Sequence, residues 1–258
     1  MVLSYSFCNV SVLPVRKEPS HQSEQVTQML FGEKAEILEV DGNDWARIRT
    51  DWDDYEGWCR VSQLGLLQRK EYSKERKFLS GRNSDTIKFE GSESWLPLGS
   101  EIMRSKLLVN GQTGKFKGKK VAISELSPSG EALRTAALSY LHAPYLWGGR
   151  SIAGIDCSGL SQMAYKLCNV RIPRDASVQA TAGTVVDFLQ HAACGDLAFF
   201  DNTEGRINHV GMLLDHQTII HATETSGRVV IDRIDQGGII SKSLRKRTHN
   251  LRMVRRYF

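Results

Sequence analysis

No apolar run in the 258 residues approaches the roughly 18 that a membrane-spanning helix requires. Residues 1–14 also lack the basic start and long apolar stretch of a secretory signal, so a cytoplasmic protein with no membrane span is expected. Cysteine is sparse: the five, at 8, 59, 157, 168 and 194, form no C-x-x-C pair and are odd in number. That excludes a disulfide framework using all of them, and free thiols are the expectation. Acids are missing from residues 241–258, which hold seven of the 34 Lys and Arg; the other 27 face 29 acids, a net of −2. The formal charge of +5 is therefore concentrated in one segment. Such a segment suits nucleic acid or an anionic polymer. However, Leu251, Met253 and Val254 are interleaved through it as in a closing strand, so a solvated strand face is favoured and no nucleic-acid partner is expected. No internal repeat is evident.

What is present divides into three stretches. Residues 1–70 carry short runs rich in β-branched and aromatic residues, among them Val10–Leu13, Ala35–Val40, Trp45–Arg49 and Gly57–Val61. Turn residues at Pro19-Ser20, Gly32, Asp41–Asp44 and Asp51–Asp54 punctuate them, which predicts a small all-β barrel. Trp45 and Trp58 are assigned to its core and Tyr55, in an acidic turn, to its surface. Residues 71–124 form a charged linker followed by strand-like pieces at Thr86–Phe89, Lys106–Val109 and Lys119–Ile123, expected to be a meander that extends or duplicates the barrel. From 125 to 258 the texture is helices first and strands afterwards, the pattern of an α+β domain with helices on one face of an antiparallel sheet. Its first helix is expected to be capped by Ser127, with Pro128 at the first helical position, and to end before Pro144.

Residues 144–160 organise this last domain. Glycines 148, 149 and 154 make a loop that runs into Asp156-Cys157-Ser158-Gly159, followed by Leu160, Met163, Ala164 and Leu167 at helical spacing. Cys157 thus falls in the first turn of a predicted amphipathic helix, where unpaired N–H groups and the dipole favour thiolate over thiol. A nucleophile there needs a base. His209 lies on one predicted strand and His221 on the next; with the hairpin turning about Asp215 the two face each other directly on one side of the sheet. Nucleophile, base and a group to orient the base complete the logic of a catalytic triad. One Cys and two His could instead hold zinc, but no fourth ligand is apparent, so no metal and no cofactor are expected. His21, His142, His191, His216 and His249 are assigned to the surface or to ordinary core positions.

Taken together, Pro-Tyr-Leu-Trp-Gly-Gly (144–149), Asp-Cys-Ser-Gly-Leu (156–160), Pro-Arg-Asp-Ala-Ser (173–177), Gly-Asp-Leu-Ala-Phe-Phe (195–200), Asn-His-Val-Gly (208–211) and Ile-Ile-His-Ala (219–222) resemble the NlpC/P60 family of cell-wall cysteine peptidases. The resemblance covers residues 128–258, and residues 10–65 resemble the bacterial SH3-like (SH3b) barrel. It implies a papain-like fold, a Cys157–His209–His221 triad, and an oxyanion hole formed by Tyr145 and the Cys157 N–H. With the SH3b domain it further implies a γ-D-glutamyl-L-diamino acid endopeptidase of wall recycling, acting on murein peptides with a free N-terminal L-Ala. In that subgroup Asp156 would bind the substrate amine, Ser158 and Asp175 would line its pocket, and Tyr55 would close it; Ala176 departs from the serine usual there. A monomer is expected. A secreted endopeptidase acting on intact wall is the competing enzymatic reading. A wall-binding protein with an inactive peptidase domain is the reading of different class.

Overall fold

The computed structural model describes residues 2–103, 106–109 and 112–258. They separate into two compact units, Met1–Leu126 with Arg150–Ile152, and Ser127–Gly149 with Ala153–Phe258.

The first unit begins with seven strands, β1 (Ser4–Cys8), β2 (Val12–Arg16), β3 (Gln25–Leu30), β4 (Lys34–Val40), β5 (Trp45–Thr50), β6 (Glu56–Arg60) and β7 (Leu64–Leu67). They form one antiparallel sheet in the order β3-β2-β6-β5-β4-β1-β7, the expected SH3-like barrel. Alternate residues turn inward, and Cys8, Leu13, Val15, Met29, Ala35, Ile37, Ala46, Ile48 and Cys59 make a continuous apolar core. Trp45 is buried as expected, while Trp58 and Tyr55 are half-buried. The charged linker contains one helical turn, α1 (Arg69–Tyr72), tied down by Lys34, whose Nζ donates to the Tyr72 and Lys74 carbonyls. Beyond it β8 (Phe78–Ser80) pairs with β13 (Lys120–Ala122). Strands β9 (Thr86–Phe89), β10 (Ser92–Trp95), β11 (Lys106–Val109) and β12 (Gln112–Lys117) make a four-stranded sheet. Its order, β10-β9-β12-β11, is not the expected meander: two hairpins are joined through their first and last strands, with Ile87 under Phe31, Leu96 and Ile102. The short β14 (Arg150–Ser151) also belongs to this unit, where the buried Arg150 guanidinium bonds both oxygens of Glu33 at 2.8 and 3.0 Å.

The second unit opens with α2 (Gly130–Leu138). Its cap is Ser129, which accepts the Ala132 N–H, so the helix starts two residues later than Ser127-Pro128 suggests. It also ends earlier, at Ser139, and His142 then adopts a left-handed backbone (φ 68°) before Pro144. After β15 (Gly154–Ile155) comes α3 (Cys157–Lys166), then α4 (Ala176–Gln179) and β16 (Thr184–Val185). All ten residues of α3 are buried, so it is a central helix rather than the amphipathic one its apolar spacing predicts.

The remaining strands are β17 (Leu197–Asp201), β18 (Ile207–Asp215), β19 (Thr218–Thr223), β20 (Arg228–Asp235), β21 (Gly238–Ser241) and β22 (Lys246–Arg256). Each pairs antiparallel with the next in the order β16-β22-β17-β18-β19-β20-β21, and β21 also pairs with β22. Six strands therefore close on themselves, and the eleven-residue β22 makes the closure by serving both β17 and β21. The α+β class stands. The basic residues of this segment are largely used within the unit: Arg247 pairs with Asp235, Arg256 with Asp196, and Arg255 donates to the Ala180 carbonyl.

Candidate active site

Asp156 sets the start of α3. Its Oδ1 accepts the Gly159 N–H at 2.7 Å, the geometry of an N-cap, and its Oδ2 accepts the Gly148 N–H at 2.8 Å. Arg174 donates to the same Oδ2 at 2.6 Å and to the Ser158 hydroxyl at 2.7 Å. Burial works against the Arg174 charge, but the Asp156 carboxylate holds it firmly protonated. Gly159 is required for this turn, since a Cβ there would lie 2.3 Å from the Gly149 carbonyl oxygen. One carboxylate thus joins the glycine loop, the helix start and the Pro-Arg-Asp-Ala-Ser segment, and it places Cys157 at the first helical position.

The Cys157 thiol is buried and pushed up to about 12, first by burial and next by the Asp156 carboxylate. The expectation of a helix-start thiolate is thus reversed: loss of solvent outweighs the dipole. Cys59 is pushed up to about 12 and Cys168 to about 11 by burial alone, so acidity does not single out Cys157. Its surroundings do. The N–H groups of Val210 and Ser158 face its sulfur and favour the thiolate, and Val210 immediately follows His209 on β18.

His209 and His221 are both buried and joined Nε2 to Nδ1 at 2.9 Å. The register that achieves this differs from the one expected. Met212 pairs with Ile220 and Leu213 with Ile219, after a bulge beside Asp215, so His221 falls opposite Gly211 and not opposite His209. The histidines are diagonal neighbours on one face. Gly211 makes the diagonal passable, because a Cβ there would lie 3.0 Å from the His221 Cβ and 2.6 Å from Ile219. His221 continues through Nε2 to an oxygen of Asp232 on β20, at 3.2 Å, and the other carboxylate oxygen accepts the Lys242 N–H at 2.8 Å. Burial opposes ionisation of Asp232, but the bonds from His221 and Lys242 prevail and hold it below the ordinary carboxylate range.

A third histidine belongs here. His249, assigned from the sequence to an ordinary surface or core position, stacks on His209 with ring centroids 4.1 Å apart and 22° between planes. Burial, followed by the charges of His221 and His249, lowers His209 well below 6.5, and burial and His221 bring His249 down to about 4. A lone thiolate and a lone imidazolium are both disfavoured; transfer of the thiol proton to His209 creates them as a pair.

Tyr145 is half-buried, and its hydroxyl is pushed up by burial and by Cys157, so it stays protonated and able to donate. Ser158 is buried against Arg174, and Asp175 caps α4 by position without a side-chain cap bond. Tyr55 lies in the first unit, after the turn that ends at Asp54 with φ 55°, its N–H donating to Thr50 Oγ1. Sequence reasoning misses Asp232, His249 and Gly211. The Gly of Asn-His-Val-Gly is the one available signal, since a glycine two residues from a strand histidine marks close approach.

A thiol at a helix start, beside a histidine pair on an antiparallel sheet and a protonated tyrosine, is the arrangement of a papain-like hydrolase. Similarity to known proteins agrees with that class. Residues 142–248 match the NlpC/P60 family, and residues 15–64 match the bacterial dipeptidyl-peptidase Sh3 domain. The chain is 29% identical over 245 residues to a γ-D-glutamyl-L-lysine dipeptidyl-peptidase of Bacillus cereus, covering 84% of this chain and 72% of the relative. It is 28% identical to dipeptidyl-peptidase 6 of Lysinibacillus sphaericus, covering 85% and 88%. A crystal structure of an NlpC/P60 family protein from Bacillus cereus shares the fold with a TM-score of 0.82 and 19% identity, over 98% of this chain and 99% of that one. The chain carries an NlpC/P60 domain and, N-terminal to it, a bacterial SH3 domain.

Proposed function

We propose that the protein is a cysteine peptidase that hydrolyses the γ-D-Glu–diamino acid bond of murein peptides bearing a free N-terminal L-Ala, in cytoplasmic peptidoglycan recycling. The observation that carries the chemistry is the 2.9 Å bond between His209 and His221 beside the helix-start Cys157. The substrate class rests on the names of the relatives and on the resemblance. His209 uses Nε2 for His221 and has Nδ1 for the thiol. It takes the Cys157 proton as sulfur attacks the γ-glutamyl carbonyl. Tyr145 and the Cys157 N–H, unpaired at the helix start, donate to the oxyanion. His209 then protonates the departing amine of the diamino acid, and a water deprotonated by the same ring releases the thioester. Amine recognition falls to Asp156 with Ser158 and Asp175.

The test compares kcat/KM for L-Ala-γ-D-Glu-diamino acid with its N-acetyl form. Acetylation removes the ammonium and with it a charge-assisted hydrogen bond in a closed pocket, worth about 1.5–3 kcal/mol. The predicted fall is roughly one to two orders of magnitude. Equal cleavage of the two would instead favour the endopeptidase of intact wall.

A further inference from the structure

The catalytic histidines are part of a longer chain, and its far end fixes its polarity. We propose that Asp232 is a positioning residue that sets the tautomers of both His221 and His209, and so decides whether His209 can accept the thiol proton. The inference rests on Cys157, His209 and His221 being the catalytic set.

Asp232 is ionised and buried, so it can only accept. His221 must then carry its proton on Nε2, which leaves Nδ1 as a bare acceptor. The bond of 2.9 Å to that nitrogen can exist only if His209 carries its proton on Nε2. Its Nδ1 is thereby unprotonated, the form a general base requires. Each hydrogen bond has one donor and one acceptor, so the carboxylate dictates the polarity of the whole chain. After transfer, the S–H bond of Cys157 has broken and an N–H bond at His209 Nδ1 has formed. The new imidazolium then donates through Nε2 toward His221 and the Asp232 charge. Charged or titratable neighbours of this row are His249 on β22, Lys242 after β21, Cys157 on α3, and beyond it Asp156 and Arg174.

The second carboxylate oxygen turns this into an unusual prediction. It accepts the Lys242 backbone N–H, a group that can only donate. In Asp232→Asn the amide oxygen must therefore face Lys242, and the NH2 must face His221 Nε2. That forces the His221 proton onto Nδ1 and, in turn, the His209 proton onto Nδ1, where it blocks the base. Asp232→Ala imposes no tautomer, so the rings are free to adopt the productive one part of the time. The isosteric variant should be the worse of the two. An aspartate-to-asparagine change that imposes the wrong tautomer on a catalytic histidine costs on the order of 10⁴ in kcat in serine proteases.

The experiment measures kcat and KM, the iodoacetamide inactivation rate of Cys157 across pH 6–9, and histidine tautomers by long-range ¹H–¹⁵N spectra. It uses wild type, Asp232→Asn and Asp232→Ala, all as the full chain. Expected are Nε2–H tautomers for both rings in the wild type and Nδ1–H in Asp232→Asn. The asparagine variant should lose about 10³-fold or more in kcat at nearly constant KM, with alkylation slowed in parallel, and Asp232→Ala should lose at least tenfold less. A wild-type spectrum with Nδ1–H at either ring would overturn the proposal, as would Asp232→Asn equalling or outperforming Asp232→Ala per folded molecule. Alkylation and spectra need no peptide, so a wrong substrate assignment would leave them untouched.

Discussion

Replacing Arg174 by Met tests whether the buried pair at the helix start holds Cys157 in place. Arg174 and Asp156 side chains are 1% and 7% exposed, and the arginine makes bonds of 2.6 Å to the carboxylate and 2.7 Å to Ser158. Methionine keeps most of the volume but leaves a buried carboxylate without its cation. Removing one partner of such a pair costs about 3–5 kcal/mol. Asp156 retains the N–H groups of Gly148 and Gly159, which places the expected loss near the lower end, about 3 kcal/mol. The assay is amide hydrogen exchange of the segment 156–167, which reports opening of α3 without assuming that both units unfold together. Protection there should fall by roughly two orders of magnitude. In Asp156→Asn/Arg174→Met the amide oxygen still caps Gly159 and no unpaired charge remains, so the double variant should recover at least about 1.5 kcal/mol relative to the sum of the singles. Additive singles, or an Arg174→Met protein as protected as wild type, would refute the reasoning.

Gly211→Ala should displace the His221 ring from His209, because its Cβ would meet Ile219 at 2.6 Å and the His221 Cβ at 3.0 Å; kcat should drop at least tenfold while circular dichroism shows a folded protein. Cys157→Ser should abolish turnover with little change in stability, whereas alanine at Cys168 or Cys194 should leave turnover within a few-fold; mass spectrometry of the iodoacetamide-blocked protein should find the label on Cys157. His209 and His249 both have folded pKa values lowered from 6.5, so the unfolded chain protonates first and stability, full above about 6.5, is lost as pH falls toward the folded values. Discounted for partial exposure, His249, at about 4, accounts for about 1–2 kcal/mol between pH 7 and 5, and His249→Phe should flatten the urea-unfolding profile by that amount.

Local chemistry makes Cys157 legible. A glycine loop, Asp156 at the helix start and helical apolar spacing all lie within ten residues of Cys157, and each acts on its immediate neighbours. The histidine pair is legible as a face but not as a register, because the bulge beside Asp215 shifts the pairing and leaves no mark in composition. Asp232 and His249 are illegible for a different reason. Asp232 reaches His221 diagonally across a strand pair, and His249 reaches His209 only because β22 bends across a closed set of strands, with irregular pairing at Phe199/Phe200 and Ile239/Ile240. Closure joins residues forty or more positions apart, and no periodicity within one strand encodes it. The burial of all of α3 is hidden similarly: Ser158 accepts from Arg174 and Gln162 donates to the Ile172 carbonyl, both outside the helix, while Ser161 donates back to the Cys157 carbonyl within it.

Closure by β22 also orders the assembly of the site in time. A chain emerging from synthesis carries Cys157 and, by residue 221, the histidine pair, yet the strand that lays His249 on His209 and joins β17 to β21 ends at Arg256. Without β22 the face of His209 that His249 covers is bare, and the row of donors and acceptors loses its dry setting. A chain made only as far as β21 therefore holds Cys157, His209 and His221 without the strand that brings His249 onto His209.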